Sequence, residues 1–290
     1  MTALRALLNE LIDYAGVFPP ASLDMKTAVR NYSEYRAGDH AWMLGRFVLP
    51  AQKLEEFTQA FIEECCYEQV SPWLLSIVST GNAQEDARHL STFIQGAAFF
   101  DAIELKFVDA ATLAERLSSV SSGMTAYVEL PLPQTSKALP VLKKLSMRAK
   151  IRTGGTTADV IPSAPEIAAF LTACAKAKIS FKATAGLHHP LRSMQQLTYE
   201  RDSVSAVMHG FINVFIAAII AYRGAPQEEV LEVLNEQSSL AFQFEKDSLT
   251  WRNHRLTTKQ IQVVRKKFAI GFGSCSFSDP IHDLKALGWL

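Results

Sequence analysis

The sequence lacks any excess of charge of one sign. Its 29 lysine and arginine residues are balanced by 29 aspartate and glutamate residues. This balance gives no reason to expect nucleic acid or an anionic membrane as a partner. Cysteine is also scarce, with four residues in no CxxC or zinc-ribbon spacing, and adjacent Cys65 and Cys66 are unsuited to an ordinary disulfide. The cysteine pattern predicts a reduced, cytoplasmic compartment.

Long apolar runs are missing as well. The N-terminal segment carries acidic residues early and has no apolar core followed by a cleavage site, so we expect no signal peptide. The longest apolar run, residues 211–222, contains Asn213 and is too short to cross a bilayer. This run predicts a buried helix in a soluble protein without a membrane partner.

What the chain does have is a regular alternation of strand-length apolar runs with longer stretches of helical spacing. Eight such strands separated by helices predict an α/β fold of the (β/α)8 (TIM) barrel class. With 290 residues, of which 48% are hydrophobic, we expect one barrel domain over residues 1–290. The predicted strands are residues 11–17, 44–49, 72–78, 101–108, 125–130, 149–153, 180–184 and 269–274.

Helix signals fall between these strands. An i, i+3, i+4, i+7 apolar pattern over residues 25–35 predicts an amphipathic helix, and residues 2–10 predict a short helix before the first strand. Asp279 before Pro280 predicts a further helix start. Three capping boxes mark other helix starts: Asn82 with Glu85, Ser163 with Glu166, and Thr257 with Gln260.

An enlarged insertion, residues 188–268, separates the seventh and eighth predicted strands and is about twice a normal βα unit. We expect a polar loop over residues 188–203, helices over 204–222 and 227–237, and a hairpin over 242–251. Residues 211–215 are an alternative eighth strand.

Charged residues gather near the ends of strands four to seven. Barrel strands normally present apolar residues on both faces, so charges directed outward against the helices would be costly. Residues two apart share a strand face, and side chains directed inward would meet at the carboxyl end, where barrel active sites are built. The pairs that share a face are Glu104 with Lys106, Tyr127 with Glu129, Lys150 with Arg152, and Lys182 with Thr184.

This cluster suits chemistry through a Schiff base. Nearby cations and desolvation favour the neutral, nucleophilic form of a lysine amine, and Lys150 has Arg152 and Lys182 as neighbours. Glu104 or Glu129 would then transfer protons as general acid or base. The alternative is a structural ion-pair network, with Glu104 bonded to Lys150 and Glu129 to Lys182.

The sequence KIRTG on the sixth strand and FKATAGL on the seventh resemble the paired-lysine segments of class I aldolases of the deoxyribose-phosphate aldolase type. FGSCS followed by DPIHDLKALG is similar to that family's last strand, phosphate loop and closing helix. The resemblance covers strands six to eight. It implies that Lys150 forms the Schiff base, that Lys182 favours its neutral form, and that Gly273, Ser274 and Ser276 lie near a substrate phosphate or its equivalent. Arg152 and Ala185 depart from the family pattern.

The resulting hypothesis is a lyase or aldolase that needs no cofactor and acts on a small, anionic carbonyl compound. Arg152 and Lys182 are also expected to bind an anion. Other candidate substrate contacts are Lys106, Asp13, His188, His189, and the loop containing Gly273, Ser274 and Cys275. Cys275 precedes a helix N-terminus and is an alternative nucleophile.

Two other function classes stay open. His188 and His189, with Asp13, Glu104 or Cys275, are candidate ligands of a metal-dependent barrel hydrolase or lyase. A non-catalytic, ligand-binding barrel would use the charges as structural pairs. Many barrels also self-associate, so a homo-oligomer is a further alternative.

Overall fold

The computed structural model describes residues 1–64, 72–93, 96–118 and 123–290, so Cys65 and Cys66 lie outside the described residues. Cys174 and Cys275 are free and buried. The strands are β1 (Ile12–Tyr14), β2 (Leu44–Pro50), β3 (Trp73–Val78), β4 (Ala98–Lys106), β5 (Thr125–Glu129), β6 (Arg148–Arg152), β7 (Phe181–Thr184), β8 (Ser193–Gln196), β9 (Ser205–Met208), β10 (Phe242–Phe244), β11 (Ser248–Trp251), β12 (His254–Thr257) and β13 (Ala269–Ser274).

Helices connect and surround these strands. Their bounds are α1 (Ala3–Leu8), α2 (Met25–Ala37), α3 (Leu54–Glu64), α4 (Ala83–Ser91), α5 (Ala110–Ser118), α6 (Thr135–Lys144), α7 (Ala164–Ala177), α8 (Phe211–Tyr222), α9 (Gln227–Asn235), α10 (Thr258–Lys267) and α11 (Ser278–Ala286).

Eight parallel strands form a closed barrel in the order β1-β2-β3-β4-β5-β6-β7-β13, with β13 paired to β1. This confirms the (β/α)8 fold, and each of the eight barrel strands overlaps its predicted segment. The carboxyl ends of all eight strands therefore lie at one face of the barrel, which is the face that carries active sites in this fold.

The predicted helix signals were mostly right. The Asn82 side chain caps α4, and complete capping boxes begin α7 at Ser163 and α10 at Thr257. The helix start at Asp279 was wrong because α11 begins at Ser278, and Ser276 Oγ accepts the hydrogen bond of the Asp279 backbone N–H at 3.1 Å.

The insertion between β7 and β13 is more structured than expected. The segment predicted as a polar loop contains β8, which pairs with β9 as an antiparallel hairpin. The predicted helix over 204–222 therefore begins only at Phe211, and residues 211–215 belong to α8 rather than to a strand. The hairpin over 242–251 is confirmed and gains a third strand, β12.

Helix α8 is buried on nearly every side, because it packs between the barrel and helices α7 and α9. Its apolar sequence is thus explained by a protein interior. Among the described residues, no helix has the length and apolarity needed to cross a membrane.

The amino end of the barrel, here called the floor, carries its own charged residues, of which Arg265 is buried and Arg46, Asp101 and Arg148 are half-buried. Arg46 forms two hydrogen bonds of 2.6 Å with Asp101, and Arg148 donates to the Tyr127 hydroxyl at 3.0 Å. Arg265 donates to four backbone carbonyls, among them those of Leu7 and Asn9. The hydrogen bonds of these guanidinium groups link the floor of the barrel to the neighbouring segments.

Candidate functional site

Strand register explains how the predicted lysines meet. Glu129 on β5 is the register partner of Lys150 on β6, and Lys150 is the partner of Lys182 on β7. Three charged residues on consecutive strands are therefore register neighbours, although their side chains are buried to different depths. Glu104 on β4 and Asp13 on β1 complete the set, which we call the lysine cluster: Asp13, Glu104, Glu129, Lys150 and Lys182.

The carboxylate of Glu104 bridges both lysines. Its Oε2 lies 2.7 Å from Lys150 Nζ and its Oε1 lies 2.6 Å from Lys182 Nζ. Ser76 Oγ donates a further hydrogen bond of 2.8 Å to Oε1. Burial alone would raise the pKa of Glu104, but the two ammonium groups outweigh it and hold that pKa well below its ordinary value. Glu104 is therefore ionised at neutral pH.

Lys182 lies beneath Lys150 and is almost completely buried, with 2% of its side chain exposed. Its ammonium contacts Asp13 Oδ2 and Glu104 Oε1, each at 2.6 Å, and lies 5.4 Å from the centre of the Tyr127 ring. Burial lowers the pKa of Lys182, yet Asp13 and Glu104 reverse that effect and raise it above the ordinary lysine value. Lys182 is thus a fixed cation.

Asp13 is held in place by the next strand. Its Oδ1 accepts the backbone N–H of Arg46 at 2.7 Å. The backbone approaches so closely here that a Cβ on Gly45 would lie 2.2 Å from the same oxygen. Glycine at position 45 therefore makes room for the carboxylate that holds Lys182.

Of the two lysines in the cluster, Lys150 is the one that lines a cavity. Its Nζ lies 3.0 Å from Glu129 Oε2, while Arg152 Nε donates to the other oxygen of Glu129 at 3.0 Å. Burial raises the pKa of Glu129, but Lys150 and Arg152 lower it overall. The amine of Lys150 is consequently held between two carboxylates at the base of a cavity.

That cavity has a volume of about 700 Å³ and opens at the carboxyl ends of the strands. Its size is in the range of small-molecule sites. Side chains from β3, β4 and β6 and their loops line one side, and the insertion, the β1 loop and β13 line the other. Predicted site residues that line it are Glu104, Lys106, Glu129, Lys150, Arg152, His188, Gly273 and Cys275.

Four predicted site residues lie elsewhere. Lys182 and Asp13 are bonded to each other and buried, and neither lines the cavity. His189 faces the outer side of the β8–β9 hairpin, where its Nδ1 contacts Asp283 Oδ2 at 2.6 Å. Ser274 is buried and its hydroxyl donates to the Ser276 carbonyl at 2.7 Å, so it faces the chain instead of the cavity.

The structural pairing that we considered as an alternative is half right. Glu104 does pair with Lys150, but Glu129 pairs with Lys150 and Arg152 instead of Lys182. Lys182 is bonded by Asp13 and Glu104 instead, and these contacts cross the barrel interior between strands that are not neighbours.

Sequence reasoning missed the loop after β3. Asp86 on α4 accepts hydrogen bonds from Ser79 Oγ at 2.5 Å and from the backbone N–H of Thr80 at 2.8 Å. This arrangement fixes Ser79 and Thr80 against the cavity, and Arg116 from α5 lines the same side. The Ser-Thr-Gly-Asn run directly after a buried strand was the available signal.

The proposed metal ligands are arranged for other contacts. Asp13 and Glu104 both hold Lys182, while His188 Nε2 lies 3.9 Å from Cys275 Sγ. Within the four described ranges, no three His, Cys, Asp or Glu side chains are grouped as a metal ion would require.

Cys275 is poorly suited to act as a thiolate. Burial raises the pKa of the Cys275 thiol. Burial also lowers the pKa of His188 to about 4, so this imidazole is neutral at pH 7 and supplies no charge to stabilise a thiolate.

Comparison of the chain with protein-family models and with curated protein sequences gives no match. The function proposed below therefore depends on the geometry of the site and on the sequence resemblance described above.

Proposed function

We propose that this barrel is a Schiff-base-forming lyase or aldolase that acts on a small, anionic carbonyl compound. The observation that carries the proposal is the position of Lys150. Its amine lies at the base of the cavity between Glu104 and Glu129, with the fixed cation Lys182 behind it. Amine, carboxylates and cation are the parts that carbonyl chemistry through an imine requires.

The reaction would begin when the Lys150 ammonium gives a proton to Glu129 and the resulting neutral amine attacks the carbonyl carbon. Glu129 would return that proton to the hydroxyl group of the carbinolamine, which leaves as water and gives a protonated Schiff base. The bond between the α- and β-carbons can then break: the β-hydroxyl group gives its proton to a carboxylate and the β-carbon leaves as an aldehyde, while the electron pair of the bond moves through the α-carbon to the iminium nitrogen and gives an enamine. Protonation of the resulting enamine and hydrolysis of the imine return the amine and release the product.

The carboxylates explain why this cation would be favoured. A protonated Schiff base carries the same positive charge as the ammonium that it replaces, at nearly the same position. Glu104 and Glu129 would therefore stabilise it without rearrangement, as preorganised charges do. Glu129 lies at the cavity surface and is placed to transfer protons, whereas Glu104 bonds both lysines and is placed to orient them.

Reductive trapping tests the proposal. The protein is incubated with small aldehydes and ketones and then with borohydride, and the modified peptide is identified by mass spectrometry. We expect an adduct on Lys150 that disappears in Lys150→Arg and persists in Lys137→Arg, a change at an exposed lysine of α6. The proposal would be contradicted if none of the carbonyl compounds forms an adduct on Lys150.

A non-catalytic, ligand-binding barrel is the second candidate, and one observation favours it. Lys150 and Lys182 each contact two carboxylates, as in a purely structural network. On this alternative Lys150→Met would change stability but leave ligand binding intact, and no carbonyl compound would form a covalent adduct.

A further inference from the structure

We propose that the anionic group of the substrate binds at the β4–β6 side of the cavity, against Lys106, Arg152 and Arg116, and that an uncharged or apolar part faces β1 and β13. This inference depends on the proposed function because it orients the carbonyl over Lys150. It differs from the expectation of an anion at the loop that follows β13.

Lys106 is the first support. It ends β4 and lines the cavity. Its side chain makes no hydrogen bond or ion pair with any residue that the structure describes. Its register partner is Glu129 on β5, which already receives Lys150 and Arg152. The ammonium of Lys106 is thus a cation at the cavity wall whose charge no described carboxylate neutralises by direct contact.

Arg152 and Arg116 extend the positive surface. Arg152 donates through Nε to Glu129, yet 47% of its side chain is exposed and it lines the cavity. Arg116 lies beside the β3 loop, where a Cβ built on Gly81 would be 3.9 Å from its Nη2. Guanidinium groups suit carboxylate and phosphate oxygens because they donate two parallel hydrogen bonds.

Hydroxyl groups stand next to these cations. Ser79, Thr80 and Thr156 line the same side of the cavity. The Asp86 carboxylate accepts hydrogen bonds from the backbone N–H and from the hydroxyl of Thr80, each at 2.8 Å. A preformed loop of this kind can support an anion with little loss of conformational freedom on binding.

The opposite side is unsuited to an anion. The Ser274 hydroxyl is bonded to Ser276, and Ser276 Oγ accepts the backbone N–H of Asp279. The Asp279 carboxylate stands close by, bonded to the Tyr199 hydroxyl at 2.7 Å. Because His188 is neutral at pH 7, it does not offset that negative charge.

The opposite side of the cavity is lined mainly by side chains without a full charge: Phe18, Pro19, Pro20, Val48, Leu197 and Met208. Apolar side chains also stand beside the cations, at Val78, Phe107 and Val108. The cavity therefore has a cationic side, a reactive amine and an apolar side. The substrate class that fits is a carbonyl compound with a carboxylate or phosphate on one side of the carbonyl and an uncharged or apolar group on the other.

The test compares matched probes in reductive trapping at Lys150. Succinic semialdehyde is compared with butyraldehyde for a carboxylate, and dihydroxyacetone phosphate with dihydroxyacetone for a phosphate. We expect the anionic member of at least one pair to form the adduct about tenfold faster. That preference should fall to near unity in Lys106→Met and stay unchanged in Lys137→Met.

The outcomes separate the two proposals. If no probe labels Lys150, the Schiff-base function itself fails. If Lys150 is labelled without any preference for an anion, or if Lys106→Met keeps the preference, the location of the anion is wrong. A preference that Ser276→Ala removes and Lys106→Met does not would place the anion at the loop after β13 and overturn the inference.

Discussion

The barrel contains two layers of charged side chains, a buried layer at the carboxyl end and a partly buried layer at the floor, and they use cations in different ways. The lysine cluster under the cavity joins two ammonium groups to three carboxylates, and one of those ammonium groups borders open space. The floor uses the guanidinium groups of Arg46, Arg148 and Arg265, bonded to one carboxylate, a phenol and backbone carbonyls.

The difference follows from the chemistry of the two side chains. A guanidinium group stays protonated and holds several acceptors in fixed directions, so it suits a permanent structural joint. An ammonium group can lose its proton and become a nucleophile. The barrel places the cation that can lose its proton at the carboxyl end, where Lys150 lines one cavity, and the permanently charged cations at the floor, where Arg46, Arg148 and Arg265 line another of about 760 Å³.

The largest expected effect concerns Lys182→Met. This change leaves Asp13 and Glu104 buried without the ammonium that joins them, and removal of one partner of a buried pair costs about 3–5 kcal/mol. Arg148→Met in the floor is the comparison: it removes one hydrogen bond to Tyr127, for which we expect about 1 kcal/mol. Urea unfolding of both variants measures the free energy of unfolding. Equal losses would show that the two layers are energetically alike.

The pH dependence of stability should follow the cluster. The pKa of Glu104 and that of Glu129 are lowered by folding, so their stabilisation is present above the ordinary value of 4.5 and is lost as pH falls below it. The pKa of Lys182 is raised, so its contribution is complete below 10.5 and is lost as pH rises further, through the folded value.

Urea unfolding between pH 2 and 11 measures both limits. We expect stability to be greatest between about pH 7 and 9. Below that range the buried His188, whose pKa is lowered to about 4, costs stability first, and Glu104 and Glu129 add a steeper loss below 4.5. Glu104→Gln should flatten the acid limb, and Glu55→Gln, a change on an exposed face of α3, should leave it unchanged. An acid limb of the same depth in Glu104→Gln would contradict this assignment.

The smallest effect concerns Ser76, which donates to Glu104 from beneath. Ser76→Ala removes a hydrogen bond to Glu104, for which we expect a loss of about 0.5–1 kcal/mol, since the lysines still hold the carboxylate. Ser76→Cys retains a weak donor and should recover part of the loss. If Ser76→Ala is as stable as the original protein, Lys150 and Lys182 alone are sufficient to hold the Glu104 carboxylate.

The fold was predictable because apolar runs of strand length recur between helical patterns. The inward position of Glu104, Glu129, Lys150 and Lys182 was predictable from the two-residue period of strands. Their pairing was not, because contacts depend on the depth of each side chain in the barrel, and Lys182 extends down to Asp13 on β1.

The β8–β9 hairpin was missed for a different physical reason. Its strands carry Ser193, Gln195 and Gln196 in a largely polar segment, so no apolar alternation marks them. The contact of the Tyr199 hydroxyl with Asp279 spans 80 positions of sequence and has no local signal. Polar pairing and long-range tertiary contacts were therefore outside the reach of periodicity.

The pairing of β1 with β13 has a consequence for how the molecule is made. Asp13 finds its strand partner at Gly273, some 260 positions later in the chain. A ribosome adds about 5–20 residues per second, so β1 waits for roughly 13–50 s before its neighbour exists. During that interval one edge of β1 has no strand beside it, and contacts this distant in sequence are slow to form. Closure of the barrel, and with it completion of the cavity wall above Lys150, is therefore a late event in biogenesis.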